Sequence, residues 1–285
     1  WYPEAEVAGL NSKTGYEVMN MNLGAMHNTP GDVGSYGLLY QWGRKDPFPA
    51  APTLTGTTAT VGAPIYDGDD NEIKITNSSQ SSTADNNLAF AIANPTVCLS
   101  NYAQFNTSRD WLQADMSNDA LWGNPKGAER NETNDFLNKG AKSFYDPCPV
   151  GWRVPPADVF RNFTASGGYA WVIDDFDIAD ISGDGAKSLA DYDYGWTFNL
   201  SDSASSYFPA AARFDGSYAM LMGSMSGLWG SYWGNAPYPG DMFQGGAYSV
   251  LSFQIKDTAG NEMITTSPAG GGARADAYSV RCIRE

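Results

Sequence analysis

Ala247-Tyr248-Ser249-Val250-Leu251-Ser252-Phe253 and, nearer the end of the chain, Ala277-Tyr278-Ser279-Val280-Arg281-Cys282-Ile283 alternate or cluster apolar residues as β-strands do. Before the first of them runs Leu228-Trp229-Gly230-Ser231-Tyr232-Trp233-Gly234-Asn235-Ala236-Pro237-Tyr238-Pro239-Gly240-Asp241-Met242-Phe243. That mixture of rings with Gly, Pro and Asn is too dense to bury every ring on one helix or one strand. Tyr and Trp offer large, rigid contact area at low entropic cost, so the group reads as a binding surface, with ordinary core residues of a β-rich domain as the alternative. Trp233 is the exception and reads as core.

The composition agrees with a β- and loop-rich chain. Of 285 residues only 17% are charged, while Gly reaches 31 and the aromatics 13%. A helical bundle would want more Ala, Leu, Glu and Lys. Seventeen Lys and Arg against 32 Asp and Glu give a net charge of −15, which argues against nucleic acid as a partner, because phosphates are met by clustered cations. No apolar run approaches the ~18 residues of a membrane helix. The opening Trp1-Tyr2-Pro3-Glu4 has no signal-peptide character, and a start on Trp reads as a fragment excised from a longer protein.

Two short helices are expected. One spans Asp85 to Asn94, with Leu88, Ala91 and Ile92 on one face, Asp85 or Thr83 as cap and Pro95 as stop. The other starts at Pro155-Pro156 and carries Val159, Phe160 and Phe163 on one stripe. Ile73-Lys74-Ile75-Thr76, after an Asp-Gly-Asp-Asp turn, reads as half of a hairpin. Thr76 to Asn87 and Ala259 to Ala275 read as loops by composition. No repeat or linker divides the chain, so residues 1–285 read as one domain with long insertions.

Familiar chemistries are missing. His27 has no neighbouring ligand for a metal and reads as a solvated loop residue. There is no Gly-x-Ser-x-Gly elbow and no phosphate-binding loop, and no enzyme is nominated. Asp67, Asp69 and Asn71 match the first ligand positions of a calcium loop, but Glu72 stands where Gly is needed and Ser78 where the closing Glu belongs. Asp174, Asp175, Asp177, Asp180 and Asp184 are dense but show no such register, and turn-forming aspartates are the plainer reading. No cofactor and no metal are assigned. Cys98, Cys148 and Cys282 allow one disulfide and leave one thiol.

Three segments resemble the Fibrobacter succinogenes major paralogous domain, a family abundant in Bacteroidetes surface proteins. They are Asn22-Leu23-Gly24-Ala25 through Thr29-Pro30-Gly31-Asp32 to Gly37-Leu38-Leu39-Tyr40-Gln41-Trp42-Gly43-Arg44-Lys45-Asp46-Pro47-Phe48; Tyr145-Asp146-Pro147-Cys148-Pro149-Val150-Gly151-Trp152-Arg153-Val154-Pro155; and Phe208-Pro209-Ala210-Ala211 with Tyr232-Trp233 and the terminal Ser279-Val280-Arg281-Cys282-Ile283-Arg284. The resemblance implies an α+β, C-type-lectin-like fold, β- and loop-rich with about two short helices. It also implies a Cys148–Cys282 disulfide, and hence an oxidising, extracytoplasmic setting. Cys98 falls where that family favours an apolar residue, so a buried free thiol is expected. The Glu-Pro-Asn, Gln-Pro-Asp and Trp-Asn-Asp triplets of calcium-dependent sugar binders are absent, and Trp233-Gly234-Asn235 is a partial echo.

Such folds serve as variable proteins of diversity-generating retroelements. Where the family pattern has an Asn- and Arg-rich run, this chain reads Gly270-Gly271-Gly272-Ala273-Arg274-Ala275-Asp276-Ala277-Tyr278, and Gly, Ala, Asp and Tyr are each reachable from an Asn codon by change at its adenines. A ligand-binding or variable region over 228–278 is therefore expected. Its contact residues are Trp229, Ser231, Tyr232, Asn235, Tyr238, Asp241, Phe243, Arg274 and Asp276. The resulting expectation is an extracellular adhesin module of a pilus tip or surface lipoprotein, with a host or bacterial surface protein or glycan as ligand and pilus subunits reached through the missing upstream region. Its rivals are a structural pilus subunit without a ligand, a phage receptor-binding domain and, from the related fold of the formylglycine-generating enzymes, a catalyst that three cysteines and one His do not readily support.

Overall fold

The computed structural model describes residues 7–50, 65–66, 69–73, 76–78, 87–99, 110–112, 118–216, 220–221, 225–239, 246–255, 262–267 and 269–285. Its spine is the strand Gly246–Ile255, which contains the stretch quoted first. One edge of that strand pairs with Trp229–Pro237, in register Tyr232 to Leu251, with register shifts on either side of Trp233. The other edge pairs with Glu262–Thr266 and with Gly271–Ala273. Both of these partners fall inside the polar stretch 259–275, so that stretch is not simply a loop. Ladder bonds to a buried central strand outweigh its composition.

Beyond Trp229–Pro237 the sheet continues through Ala277–Ser279, which takes Leu38–Gln41 and Phe214–Asp215 as further partners. At the opposite edge lies Tyr169–Ala170. The expected strand Ala277–Ile283 is broken in two. After Ser279 the chain leaves this sheet, Val280 and Cys282 accept from the amides of Leu23 and Met19, and Ile283–Arg284 joins a second sheet with Glu17–Met19 and Trp152–Arg153. Gly9–Asn11 completes that second sheet beside Glu17–Met19.

The α+β, C-type-lectin-like expectation is corrected. Strands make up 34% of the chain and helical turns 9%, and the two helices such a fold needs are not both present among the described residues. Among the described residues there is one α-helix, Leu88–Ala93. It is capped by Asn87, whose side chain accepts from Phe90 N at 2.8 Å; Asp85 and Thr83 lie outside the described residues. Ala91 is its buried residue, and Ile92, expected on the same face, points to solvent.

The second expected helix is a run of tight turns ending in the 3-10 turn Arg161–Phe163. Pro156 forces the preceding proline into an extended conformation. The following amides then reach back three residues, Val159 to Pro156, Arg161 to Asp158 and Phe163 to Phe160. A period of three aligns side chains three apart. Phe160 and Phe163 accordingly stack at 4.8 Å, and Phe163 lies flat on Phe198 at 4.2 Å. Of the hairpin strand expected over Ile73 to Thr76, Ile73 pairs with Ile65 beside Glu72 and Tyr66, Lys74 and Ile75 lie outside the described residues, and Thr76–Ser78, expected to open a loop, is instead a strand pairing in parallel with Val97–Leu99.

Cys148 and Cys282 are bonded, with Cα atoms 6.1 Å apart and 134 residues of separation. Closing a loop of that length stabilises the fold by about 4–5 kcal/mol in the chain-entropy account. Buried Asp146 organises the approach, accepting from the amides of Cys148 and Val154 at 2.8 and 2.9 Å, with Lys142 at 3.2 Å. Cys98 is buried and free, and burial pushes its thiol pKa well up. Arg281 is wholly buried with neutral partners, donating to Asn22 Oδ1, Ser206 Oγ and the carbonyls of Met19 and Tyr207, while its guanidinium lies 4.1 Å from the Phe208 ring. Burial lowers its pKa to about 10. No helix among the described residues is long and apolar enough to cross a membrane.

Candidate functional site

Of the nine contact residues expected from sequence, the seven that are described do not form one surface. Along Trp229–Pro237 every residue after Trp229 is buried. Tyr232 turns inward, donating to Pro209 O at 2.8 Å and packing on Phe208 and Phe253. Asn235 is equally buried; its amide group reaches Lys139 O and Val154 O, and its Oδ1 accepts from Asn124 at 2.8 Å. Ser231 is buried opposite Ser252. These three shape the frame and present no surface to a partner. Asp241 and Phe243 lie outside the described residues.

What remains accessible sits at the two ends of the strand. Trp229 is half-buried at one end and Tyr238 at the other. Nine residues of extended chain hold them apart by roughly 30 Å. At the first end Trp229 Nε1 donates to Ser252 Oγ at 3.1 Å, the Arg213 guanidinium lies 4.6 Å from its ring, and Leu228 is exposed beside it. At the other end Tyr238 meets Tyr248 edge-on at 5.1 Å. Tyr248 in turn meets Phe136 at 5.4 Å and accepts a hydrogen bond from Arg130, whose guanidinium covers the Phe136 ring at 4.5 Å. Three rings and a half-exposed cation thus stand together beside Pro239, where the chain is again exposed. Arg130 and Phe136 were not expected from sequence. Each comes from a turn 118 and 112 residues away from Tyr248, a distance over which no local pattern reports.

Arg274 and Asp276 are structural in this arrangement. Arg274 is buried, donates to Gly246 O at 3.0 Å, pairs with Asp110 at 3.1 Å and with Asp119, and stacks on Trp42 at 4.3 Å. Asp276 accepts from Gly216 N and Tyr278 OH at 2.9 Å each. Burial raises its pKa to about 6, opposed by nearby Arg213 and reinforced by Asp215. The segment Gly270 to Tyr278 is buried apart from part of Gly271. A Cβ on Gly270 would stand 2.6 Å from Ser249 O, and one on Gly272 2.7 Å from the Tyr278 ring. Close packing therefore accounts for the glycines of this segment.

The acidic segment holds a register missed in the sequence. Asp180, Ser182, Asp184, Gly185 and Asp191 occupy the first, third, fifth, sixth and twelfth places of a calcium-loop pattern, with Asp in place of the closing Glu. Counting from Asp180 rather than Asp174 reveals it. In the fold the loop satisfies itself: Asp180 accepts from the amides of Gly183 and Gly185 and from Ser182 Oγ, Asp184 from the Ala186 amide, and Asp191 from the amides of Ser182 and Ser188. Among the described residues no three His, Cys, Asp or Glu side chains converge to hold a metal ion. Asp69 and Asn71, of the earlier calcium candidate, are exposed in a hairpin turn, and Asp67 lies outside the described residues. His27 stands 3.5 Å from Asp32.

No protein-family model, no curated protein and no solved structure matches this chain.

Proposed function

We propose that the chain is an extracytoplasmic binding module of a cell-surface protein, an adhesin-type domain that meets a partner protein or glycan at the ends of the strand Trp229–Pro237. The observation that carries this reading is the split along that strand. Its middle is wholly buried, whereas the rings at its ends, Trp229 beside Arg213 and Tyr238 beside Arg130, keep accessible faces next to polar groups. Half-exposed rings fixed against a rigid sheet give contact area at small entropic cost. The disulfide supports an oxidising compartment, and the likeness of three segments to a surface-protein family points the same way.

Glycan and protein arrays probed with the chain, with and without chelator, test it. Trp229→Ala or Tyr238→Ala is expected to weaken the captured interaction about 5- to 30-fold, as truncation of a central ring does. Unchanged binding in the double variant removes the placement. A chain that captures nothing as a monomer but assembles with sister subunits is a building block instead.

A further inference from the structure

A second surface lies at the far edge of the main sheet. Tyr169–Ala170 is the outermost strand, paired on its inner side only, with Tyr169 opposite Thr265 and Ala170 opposite Ile264. Side chains alternate along a strand, so Ala170 is buried while Tyr169 and Trp171 share the outer face. Their rings stack on each other at 5.6 Å and 24° yet remain 47% and 54% exposed, and Val172 beside them is 56% exposed. About half of each ring thus faces solvent.

The chain then makes one 3-10 turn, Ile173–Asp175, with Asp175 N bonded back to Val172 O at 3.0 Å. This holds Asp174 and Asp175, both exposed, next to the apolar platform. Between Arg161 and Lys187 the sequence carries five aspartates and no cation. Three of the five have partners: Asp177 pairs with Lys13 at 2.9 Å, and Asp180 and Asp184 bind their own loop amides. Lys187 is occupied by the carbonyls of Phe176 and Asp174. Among the described residues the carboxylates of Asp174 and Asp175 have no ion-pair or hydrogen-bond partner.

We propose that this edge docks a Lys- or Arg-bearing segment of a partner protein. A cation over an aromatic face is attracted by the ring quadrupole, Arg most readily, and adjacent unpaired carboxylates complete its coordination. The net charge of −15 works in the same direction at longer range. A neutral sugar would use the rings but would gain nothing from the two bare carboxylates as charges, and a polyanion is repelled. This surface is independent of the strand ends assigned above.

The test uses the whole chain with a capped hexa-arginine peptide as probe, followed by calorimetry. Trp171→Ala and, separately, Asp174→Asn with Asp175→Asn are each expected to raise Kd about 10-fold, while Trp171→Phe keeps most of the affinity. Binding is expected to weaken about 10-fold between 50 and 300 mM salt. Glu132→Gln with Glu285→Gln removes the same charge from exposed positions elsewhere and is expected to leave Kd within about 2-fold. Equal loss in the two charge variants would mean that net charge alone attracts the peptide, and the proposal fails. It fails too if the peptide does not bind, or if cellohexaose binds instead in a Trp171-dependent, salt-insensitive way.

Discussion

Trp42 and Trp233 are cross-stitched: the indole N–H of Trp42 donates to Gly234 O at 2.9 Å, and that of Trp233 donates to Tyr40 O at 2.8 Å. Each ring thus satisfies a carbonyl within two residues of the other, and the two bonds join Leu38–Gln41 and the adjoining Trp42 to Trp229–Pro237 through side chains. Trp233→Phe is expected to cost about 2–4 kcal/mol, the sum of a small cavity and an orphaned buried carbonyl. Chemical denaturation followed by far-UV circular dichroism measures it. A cost below about 0.5 kcal/mol would mean that the bond is made only on paper.

Reduction separates the three cysteines by environment. Cys282→Ala with Cys148→Ala is expected to lower stability by roughly 4–5 kcal/mol, less if the unfolded chain keeps structure. Cys98, buried and with its pKa raised, should resist alkylation in the native protein and react only on unfolding. Mass spectrometry of trapped thiols in native and denatured samples reads both outcomes. Labelling of Cys98 in the folded chain would contradict its burial.

Asp276 gives stability an unusual pH dependence. Its folded pKa is about 6 against an ordinary 3.8, raised mainly by burial, so the folded chain binds the proton more tightly than the unfolded one. Its contribution therefore grows as pH falls from 7 through about 6, and levels off below the unfolded value near 4, amounting to about 2–3 kcal/mol. Asp276→Asn should abolish that slope while other carboxylates keep theirs. Urea midpoints of both proteins between pH 4 and pH 7 give the difference, and parallel curves would refute the assignment.

Gly270 and Gly272 test whether the segment before Ser279 tolerates variation. Alanine at either position is expected to cost about 1–3 kcal/mol, because the new methyl meets Ser249 O or the Tyr278 ring at less than 3 Å. Alanine at Gly271 also meets a ring, Tyr238 at 2.9 Å, but both residues are partly exposed and that ring can shift outward, so the cost should be milder. Thermal unfolding of the three variants checks the order. If all three are neutral, the segment is looser than its burial indicates.

Strand content was legible because the signal was local. The alternation in Ala247 to Phe253 depends on neighbours two residues apart, and the strand formed there. Phe160 and Phe163 were legible as core but not as 3-10, since a spacing of three fits both helical periods and only the rings waiting on Phe198 and Phe208 decide between them. The burial of Tyr232 and Asn235 was hidden for another reason. Their partners, Pro209, Val154, Lys139 and Asn124, lie 23 to 111 positions away along the chain, and a tyrosine between Ser and Trp looks the same whether its hydroxyl finds a carbonyl or water. Asp180 to Asp191 was readable from spacing alone, and only the choice of starting residue concealed it.

The second sheet sets Gly9–Asn11 two strands away from Ile283–Arg284, and the Cys148–Cys282 bond lies one residue before that final strand. Under tension applied between residues 9 and 284, the sulfur bridge would carry the load past everything between the two cysteines. The short ladders of the small sheet would yield first, while Trp229–Pro237, Gly246–Ile255 and the Tyr169–Trp171 edge, all between the two cysteines, lie off the covalent path of the load, and Arg130 and Phe136 lie on it. The strands that carry Trp229 and Trp171 would thus be spared the covalent strain of such a pull.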